Sequence, residues 1–297
     1  MKVGLNPGFL FALYGDKVFF KEMIEGANLA ASMGFDSLRL EVYCDTEYEA
    51  YTKENIRALR EHYRKLGFVS DYFVACAPRN KLATMDPVRR NEGLKDFERI
   101  TEIAYDFGLC DTVSLTCGAP EEAVVSFLDT YPGAPPSMLK LPDNLSWDEV
   151  WKTYVDTVEK CLVMCQKRGL KMSIEPLPMT VMNNTDTYLR LANEINSKDF
   201  GIVIDASHLH YQRESLPVSI EKVKGQLMSF CVCDNDGVED YHLSPGKGTI
   251  DWTECVRALK KIGYDGTLDL EINVVDDVVS CYAEAKNYLE KIIREVG

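Results

Sequence analysis

Four short segments between Lys171 and Glu271 decide the fold: SIEPLP (173–178), VIDASHLH (203–210), FCVCDNDGVEDYHLSPGKGTIDW (230–252) and LDLEI (268–272). Each opens in a short β-rich apolar run and closes on a carboxylate, an imidazole or a thiol. Glu175, Asp205, Cys231 and Glu271 sit at or near the C-terminal ends of these runs. Four successive strands would therefore deliver ligand-type side chains to one place. A metal site at the mouth of a parallel barrel requires that arrangement.

The rest of the chain repeats the same rhythm. Strand-like runs at about 2–5, 37–43, 69–77 and 111–117 precede the quoted segments, and each is followed by apolar residues at three- and four-residue spacing. Gly34, Gly67, Gly108, Gly169 and Gly263 each fall just before a strand, where a helix stops. The count is eight strands and eight helices with no linker, which predicts a single (β/α)8 TIM barrel over 1–297. Such barrels need about 250 residues. A doubly wound open sheet is the alternative, but no GxGxxG follows the first strand. The apolar patch GFLFALY (8–14) reads as the end of that strand. Ser146 with Glu149 reads as a capping box opening the helix that runs to about Lys167. The rhythm breaks once, at about 119–145, where YPGAPPSMLKLPDN holds four of the twelve prolines. This inserted loop follows strand four, so it belongs on the C-terminal face, where long loops shape a substrate pocket or a subunit contact.

Composition narrows the partners. Asp and Glu number 47 against 33 Lys and Arg, a net charge of −14. Nucleic acid binding needs a basic footprint, so that partner is excluded. The ten cysteines mostly fall in apolar strand and helix patterns and form no repeated CxxC pair, as free buried thiols do. No run approaches the roughly 18 apolar residues of a membrane span. The start of the chain is a poor signal peptide. The expectation is a soluble, reducing, cytoplasmic protein.

A carboxylate at an apolar strand end is costly unless something positive faces it. One alone is most often a salt-bridge partner or a helix cap. Glu175, Asp205 and Glu271 at equivalent ends of strands five, six and eight shift the odds towards a shared cation. Two carboxylates flanking a metal-bound substrate can also work as an acid/base pair. His208, three residues after Asp205, sits just past a strand end, within reach of a substrate; a lone His is more often a structural hydrogen-bonder. His62 reads as surface, and His210 carries no assigned role. In DYHLSPGKG, Asp240, His242 and Lys247 belong either to a pocket rim or to a structural turn capped by Asp251.

These residues resemble the xylose-isomerase-like superfamily of barrels, which includes sugar isomerases and epimerases. IEP, DxxH, a run ending CDNDG, then HLSPGKGTIDW and LEI occur in its order and spacing, while the N-terminal half matches only in rhythm. The D-tagatose 3-epimerase-like members hold one divalent metal (Mn, Mg, Co or Zn) with Glu, Asp, His and Glu. The resemblance carries those roles onto Glu175, Asp205, the strand-seven position and Glu271. It gives Glu175 and Glu271 the proton transfers, and His208 a contact with substrate, to which His242 is added from the rim. This chain departs at strand seven, where the His position is Cys231. Either that thiolate binds the ion, favouring zinc, or water or His242 completes the site. It departs again at Val181 and Gly237, where ketose epimerases carry a substrate-binding Glu and Arg. Asp240 and His242 are also similar to an Asp-x-His zinc pair of the endonuclease-four branch. That branch needs further His ligands, and VSDYFVACA and DTVSLTC supply none. The resemblance implies a metal-dependent isomerase or epimerase working through an enediolate on a small sugar, cyclic polyol or glycoside. Two alternatives are a lyase cleaving 3-oxo-glycosides by β-elimination and a degenerate barrel acting as a binding or scaffold subunit, alone or with a second chain.

Overall fold

The computed structural model describes residues 1–126, 138–139, 142–273 and 276–297. Eight parallel strands form its centre: β1 (Lys2–Leu5), β2 (Leu40–Val42), β3 (Tyr72–Ala75), β4 (Thr112–Thr116), β5 (Lys171–Glu175), β6 (Phe200–Asp205), β7 (Leu227–Val232) and β8 (Thr267–Leu270). From β2 to β8 each pairs in parallel with the next, and β8 pairs with β1. The ring closes between β1 and the entry to β2. There Leu5 bridges Leu38, the Leu5 N–H donates to the Ser37 carbonyl (3.0 Å) and the Arg39 N–H to the Leu5 carbonyl (2.9 Å). The chain is a single (β/α)8 TIM barrel.

The period of two along each strand sorts the side chains. Val3 and Leu5, Leu40 and Val42, Val113 and Leu115, Met172 and Ile174, Ile202 and Ile204, and Leu268 and Leu270 point outward into one continuous apolar core beneath the helices. The inward positions are mostly polar. Tyr72, Val74 and Cys76 form a separate small apolar cluster. Beside them, near the N-terminal end, lies a buried ion pair. Asp269 accepts from Arg39 Nε (3.3 Å), the Tyr72 hydroxyl (3.2 Å) and the Thr267 hydroxyl (3.1 Å), and Arg39 also reaches Asp71 (3.2 Å). Both Arg39 and Asp269 are fully buried. Gly4 has no room for a Cβ, which would sit 2.3 Å from Asp269 Oδ1.

Helix ends follow the sequence reading. Gly34, Gly67, Gly108, Gly169 and Gly263 all hold positive φ, between 61° and 77°, the left-handed stop that glycine adopts without steric cost. Two local readings are corrected. GFLFALY is not strand but the helix Gly8–Tyr14, with Phe9 and Leu10 buried and Phe11 exposed. The segment carries no β-branched residue, and Pro7, in helical backbone, starts the turn. Ser146 does occupy the N-cap of Trp147–Gln166, but its side chain makes no capping bond. Short helices Arg79–Ala83 and Ala206–Tyr211 also follow β3 and β6, so the described residues hold three helices beyond the eight expected. Of the inserted loop, a 3-10 turn at Glu121–Ala123 and an antiparallel pairing of Val124–Ser126 with Met138–Leu139 are seen. Positions 127–137 and 140–141 lie outside the described residues.

Removing one partner of a buried ion pair strands the other charge in a low-dielectric interior. We expect Asp269→Ala to cost about 3–5 kcal/mol of folding free energy, read as a lowered urea midpoint with an unchanged slope. A loss below about 1 kcal/mol would mean that Asp71 alone satisfies Arg39, as an exposed pair would.

Candidate active site at the C-terminal mouth

Strands five to eight end side by side, and their last inward side chains meet. Glu175, Asp205, Cys231 and Glu271 each offer a donor atom, all within 4.8 Å of one another. The sequence reading grouped these four, and the fold brings them together. Asp205 doubles as the N-cap of Ala206–Tyr211, its Oδ1 accepting the His208 N–H at 2.9 Å, and it accepts from the Cys233 thiol at 3.0 Å. Cys231 accepts from Asn6 Nδ2 across the barrel (3.5 Å) and lies 3.9 Å from the Tyr72 hydroxyl. Thr116 donates to Glu175 at 3.3 Å.

A second group adjoins the first and shares Asp205 with it: Asp205, His208 and His242. His208 Nδ1 is 2.6 Å from Asp240 Oδ2 and 4.0 Å from Asp205 Oδ1. His242 Nε2 lies 3.6 Å from Asp240 Oδ1 and 4.0 Å from Asp205 Oδ1, and its Nδ1 is 3.8 Å from Glu271. Both rings are buried, with centroids 4.8 Å apart. Thus both sequence-predicted histidines reach the site. Lys247 is exposed, His62 is a surface residue bonded to Asn28, and His210 meets Thr249.

A buried anion builds the loop that delivers His242. Asp234 is fully buried and accepts from the N–H groups of Asn235, Gly246 and Ile250 and from Trp252 Nε1, at 2.8–3.2 Å. Its own backbone exchanges two hydrogen bonds with Leu243, the residue after His242 (2.8 and 2.7 Å). Gly248 is required here, since a Cβ would lie 2.2 Å from the Asn235 carbonyl oxygen. Asn235 Nδ2 donates to Ser207 (2.7 Å to its hydroxyl), and Ser207 donates to Asp240 Oδ1 (2.7 Å). His242 is held at φ 50°, a left-handed conformation that a non-glycine residue keeps only when its surroundings impose it.

Electrostatics mark the mouth as short of positive charge. Burial pushes Glu175 up to about 7, with His208 pulling it down and Asp205 pushing it further up. Burial, then Asp205 and Glu175, hold Glu271 well above the carboxylate range. Cys231 is raised by burial and then by Glu271 and Glu175. Burial works against charge on His208, but Asp240 and Asp205 outweigh it and hold the imidazolium well above its ordinary range. Burial lowers His242, against the pull of Asp205 and Asp240. A donor set of three carboxylates and a thiol, in which Glu175, Glu271 and Cys231 resist ionisation, fits a divalent cation, which would reverse these shifts.

Glu41 on β2 was missed. Burial and then Glu47 push it up to about 8, with Arg79 opposing and Glu175 adding. Arg79 donates to Cys76 Sγ at 2.7 Å and stacks over Tyr43. LEV in strand two carries the same signal as LEI in strand eight, a carboxylate in an apolar run. It went unread because strand two matched its relatives only in rhythm.

Comparison with known proteins agrees with the fold. The sequence profile described as "Xylose isomerase-like TIM barrel" matches residues 27–292. An uncharacterized protein of Methanocaldococcus jannaschii is 28% identical over 163 residues, 50% of this chain and only 55% of that protein. A D-psicose 3-epimerase of Enterocloster bolteae is 23% identical over 269 residues, 90% of this chain and 82% of the epimerase. Among solved structures, a D-tagatose 3-epimerase-like protein superposes with TM-score 0.76 at 21% identity, covering 100% of both chains. The IOLI protein, solved with a zinc atom, superposes with TM-score 0.72 at 18% identity over 100% of this chain and 98% of that one.

The raised carboxylates fix a pH dependence. In the folded metal-free protein Glu175 and Glu41 keep protons that the unfolded chain releases near 4.5, so between about 4.5 and 8 the folded state binds more protons. Stability then falls as pH rises. We expect the thermal midpoint of chelator-treated protein to drop from pH 5.5 to pH 8, and added divalent cation to remove most of the drop. A midpoint that rises over that range would contradict the raised carboxylates.

Proposed function

Because the chain belongs to the xylose isomerase-like TIM-barrel family, which its match over residues 27–292 shows, we propose that it is a divalent-metal-dependent sugar isomerase or epimerase. The reaction is proton transfer at a carbon beside a carbonyl. One observation carries this reading. Glu175 and Glu271, at the ends of β5 and β8, flank Asp205 and Cys231 with all four donors within 4.8 Å. A sugar seated there has a carboxylate on each side.

Glu175, Asp205, Cys231 and Glu271 would hold the ion. When bound, it would draw electron density from the substrate carbonyl and acidify the neighbouring C–H. The remaining chemistry belongs to the side chains. Burial raises both glutamates and Glu175 raises Glu271 further; one glutamate acts ionised while the other carries a proton, the pairing that acid/base catalysis uses. The ionised glutamate takes the proton from carbon, leaving an enediolate. The other returns a proton to the opposite face, giving the epimer, or to the adjacent carbon, giving the isomer. No electrons are gained or lost overall, and each glutamate ends in the other's starting state. His208 and His242 line the Asp205 side of the same space and are assigned to the substrate's oxygens. Val181 is buried and Gly237 has no side chain, so the substrate-binding Glu and Arg of the ketose epimerases have no counterpart at those positions. The substrate class is therefore small sugars, cyclic polyols or glycosides. The relatives named above support epimerisation, and no observation on this chain favours β-elimination.

Glu175→Gln and Glu271→Gln should each lower turnover by about 10²–10⁴-fold while both proteins still fold. The measurement is proton NMR in D2O with free ketoses, inososes and 3-oxo-glycosides, following solvent deuterium at the carbon beside the carbonyl. Full exchange in either variant would sink the assignment of that glutamate. Aglycone release without epimer would replace the isomerase with a lyase.

A further inference from the structure

The side chains assigned so far come from the β5–β8 side of the mouth, and the β2–β3 side carries a polar pair of its own. Glu41 lies opposite Val74 in the parallel register of β2 and β3. Val74 belongs to the lumen cluster with Tyr72 and Cys76, so the Glu41 side chain enters the lumen as well. Its carboxyl feels Glu175 and is felt by Glu271, which puts all three around one space. The Tyr51 hydroxyl bonds the Glu41 backbone carbonyl (2.6 Å), but no described group bonds or ion-pairs its carboxyl. Arg79, opening the short helix after β3, is aimed at the same space. Its Nη1 donates to Cys76 Sγ (2.7 Å), and its guanidinium stacks over the Tyr43 ring, 5.4 Å from the centroid. These contacts hold the cation over the end of the lumen, where it opposes the upward push on both Glu41 and Glu175. Glu41, Arg79 and Glu175 are each partly exposed.

We propose that Glu41 and Arg79 form a substrate subsite that binds neighbouring hydroxyl groups of a neutral polyol, and that this pair selects which sugar is turned over. A guanidinium presents donors in a fixed planar fork, and a protonated carboxyl both donates and accepts. Two adjacent hydroxyls offer the matching acceptors and donor. Glu41, pushed up to about 8 by burial, keeps at neutral pH the proton it would donate. An anionic sugar fits less well. A carboxylate or phosphate on Arg79 would also face Glu175, and Glu47, which lies near enough to raise Glu41. Val181 is buried and Gly237 has no side chain, so those positions cannot supply this recognition. In the ring, β2 and β3 stand across from β6 and β7. A sugar over Glu175 and Glu271 is then held from both sides, by His208 and His242 on one and by Glu41 and Arg79 on the other. The inference rests on the proposed function and names the part of the substrate that is read.

The test is steady-state kinetics of the whole metal-loaded chain. The substrate is whichever free ketose, inosose or 3-oxo-glycoside the wild type turns over fastest, together with its single-deoxy analogues and a carboxylated or phosphorylated counterpart. Glu41→Leu removes a carboxyl that makes no bond in the fold, and Arg79→Lys keeps the charge while losing the fork. Each should raise KM by about tenfold or more, with kcat changed by less than about threefold. One deoxy analogue should show the same KM in the wild type and in Arg79→Lys, because the hydroxyl it lacks is the one the fork binds. If Arg79 served only to tune Glu175 by its charge, Arg79→Lys would leave KM where it was. Three results overturn the proposal: an unchanged KM in both variants, a penalty that persists across every deoxy analogue, or a wild-type preference for the anionic counterpart that Arg79→Lys abolishes. The first of these leaves the proposed function standing. A wild type that turns over none of the compounds refutes the proposed function and this subsite with it. Should one variant fail to fold, the other decides.

Discussion

Closing eight parallel strands into a ring forces every second side chain into a space with no direct access to the apolar core outside. In this chain the outer positions are Leu, Ile, Val and Met, which bind the helices, and the inner ones are mostly Ser, Thr, Cys, Asp and Glu. A polar lumen must satisfy itself. Near its N-terminal end it does so with Arg39, Asp269 and the hydroxyls around them. At its C-terminal end Glu175 and Glu271 stay partly exposed beside the buried Asp205. The same alternation that makes the fold stable therefore also supplies the site. It places both carboxylate levels on β8, Asp269 below and Glu271 above, two residues apart.

Much of the motif that sets this chain among its relatives is scaffold. CDNDG and PGKGTIDW are brought together by Asp234, whose four donors come from positions 235, 246, 250 and 252. A carboxylate buried in that way holds its loop as firmly as a short helix would, because losing any donor leaves part of an anion unsolvated. The segment between carries Asp240 and His242 back to His208 and Asp205 at the end of β6. Asn235 and Ser207 link the two loops, so their geometry is coupled.

The barrel and the first cluster were legible because both are written in local periodicity. Strand runs of period two end on Glu175, Asp205, Cys231 and Glu271, and glycines at 34, 67, 108, 169 and 263 punctuate the helices. What stayed hidden depends on contacts between distant positions. Asn6 reaches Cys231 and Arg39 reaches Asp269 across more than two hundred residues, and Glu41 feels Glu175 across the lumen. GFLFALY was misread because an apolar run of seven has no decisive period. Only its burial pattern, Phe9 and Leu10 inside with Phe11 outside, separates helix from strand. His242 could be placed at the rim from sequence. Its approach to Asp205 and Glu271 could not, since a turned loop decides it.

Charge balance links the two clusters. Glu175, Asp205, Glu271 and Asp240 present four carboxylates around one opening, and Glu41, pushed up to about 8, stays protonated at neutral pH. The His208 imidazolium offsets part of that negative charge, Arg79 also acts on Glu175, and burial favours Cys231 as the neutral thiol. A low-dielectric mouth penalises each uncompensated charge heavily. The opening is left with an excess of negative charge, the condition under which a divalent cation is retained.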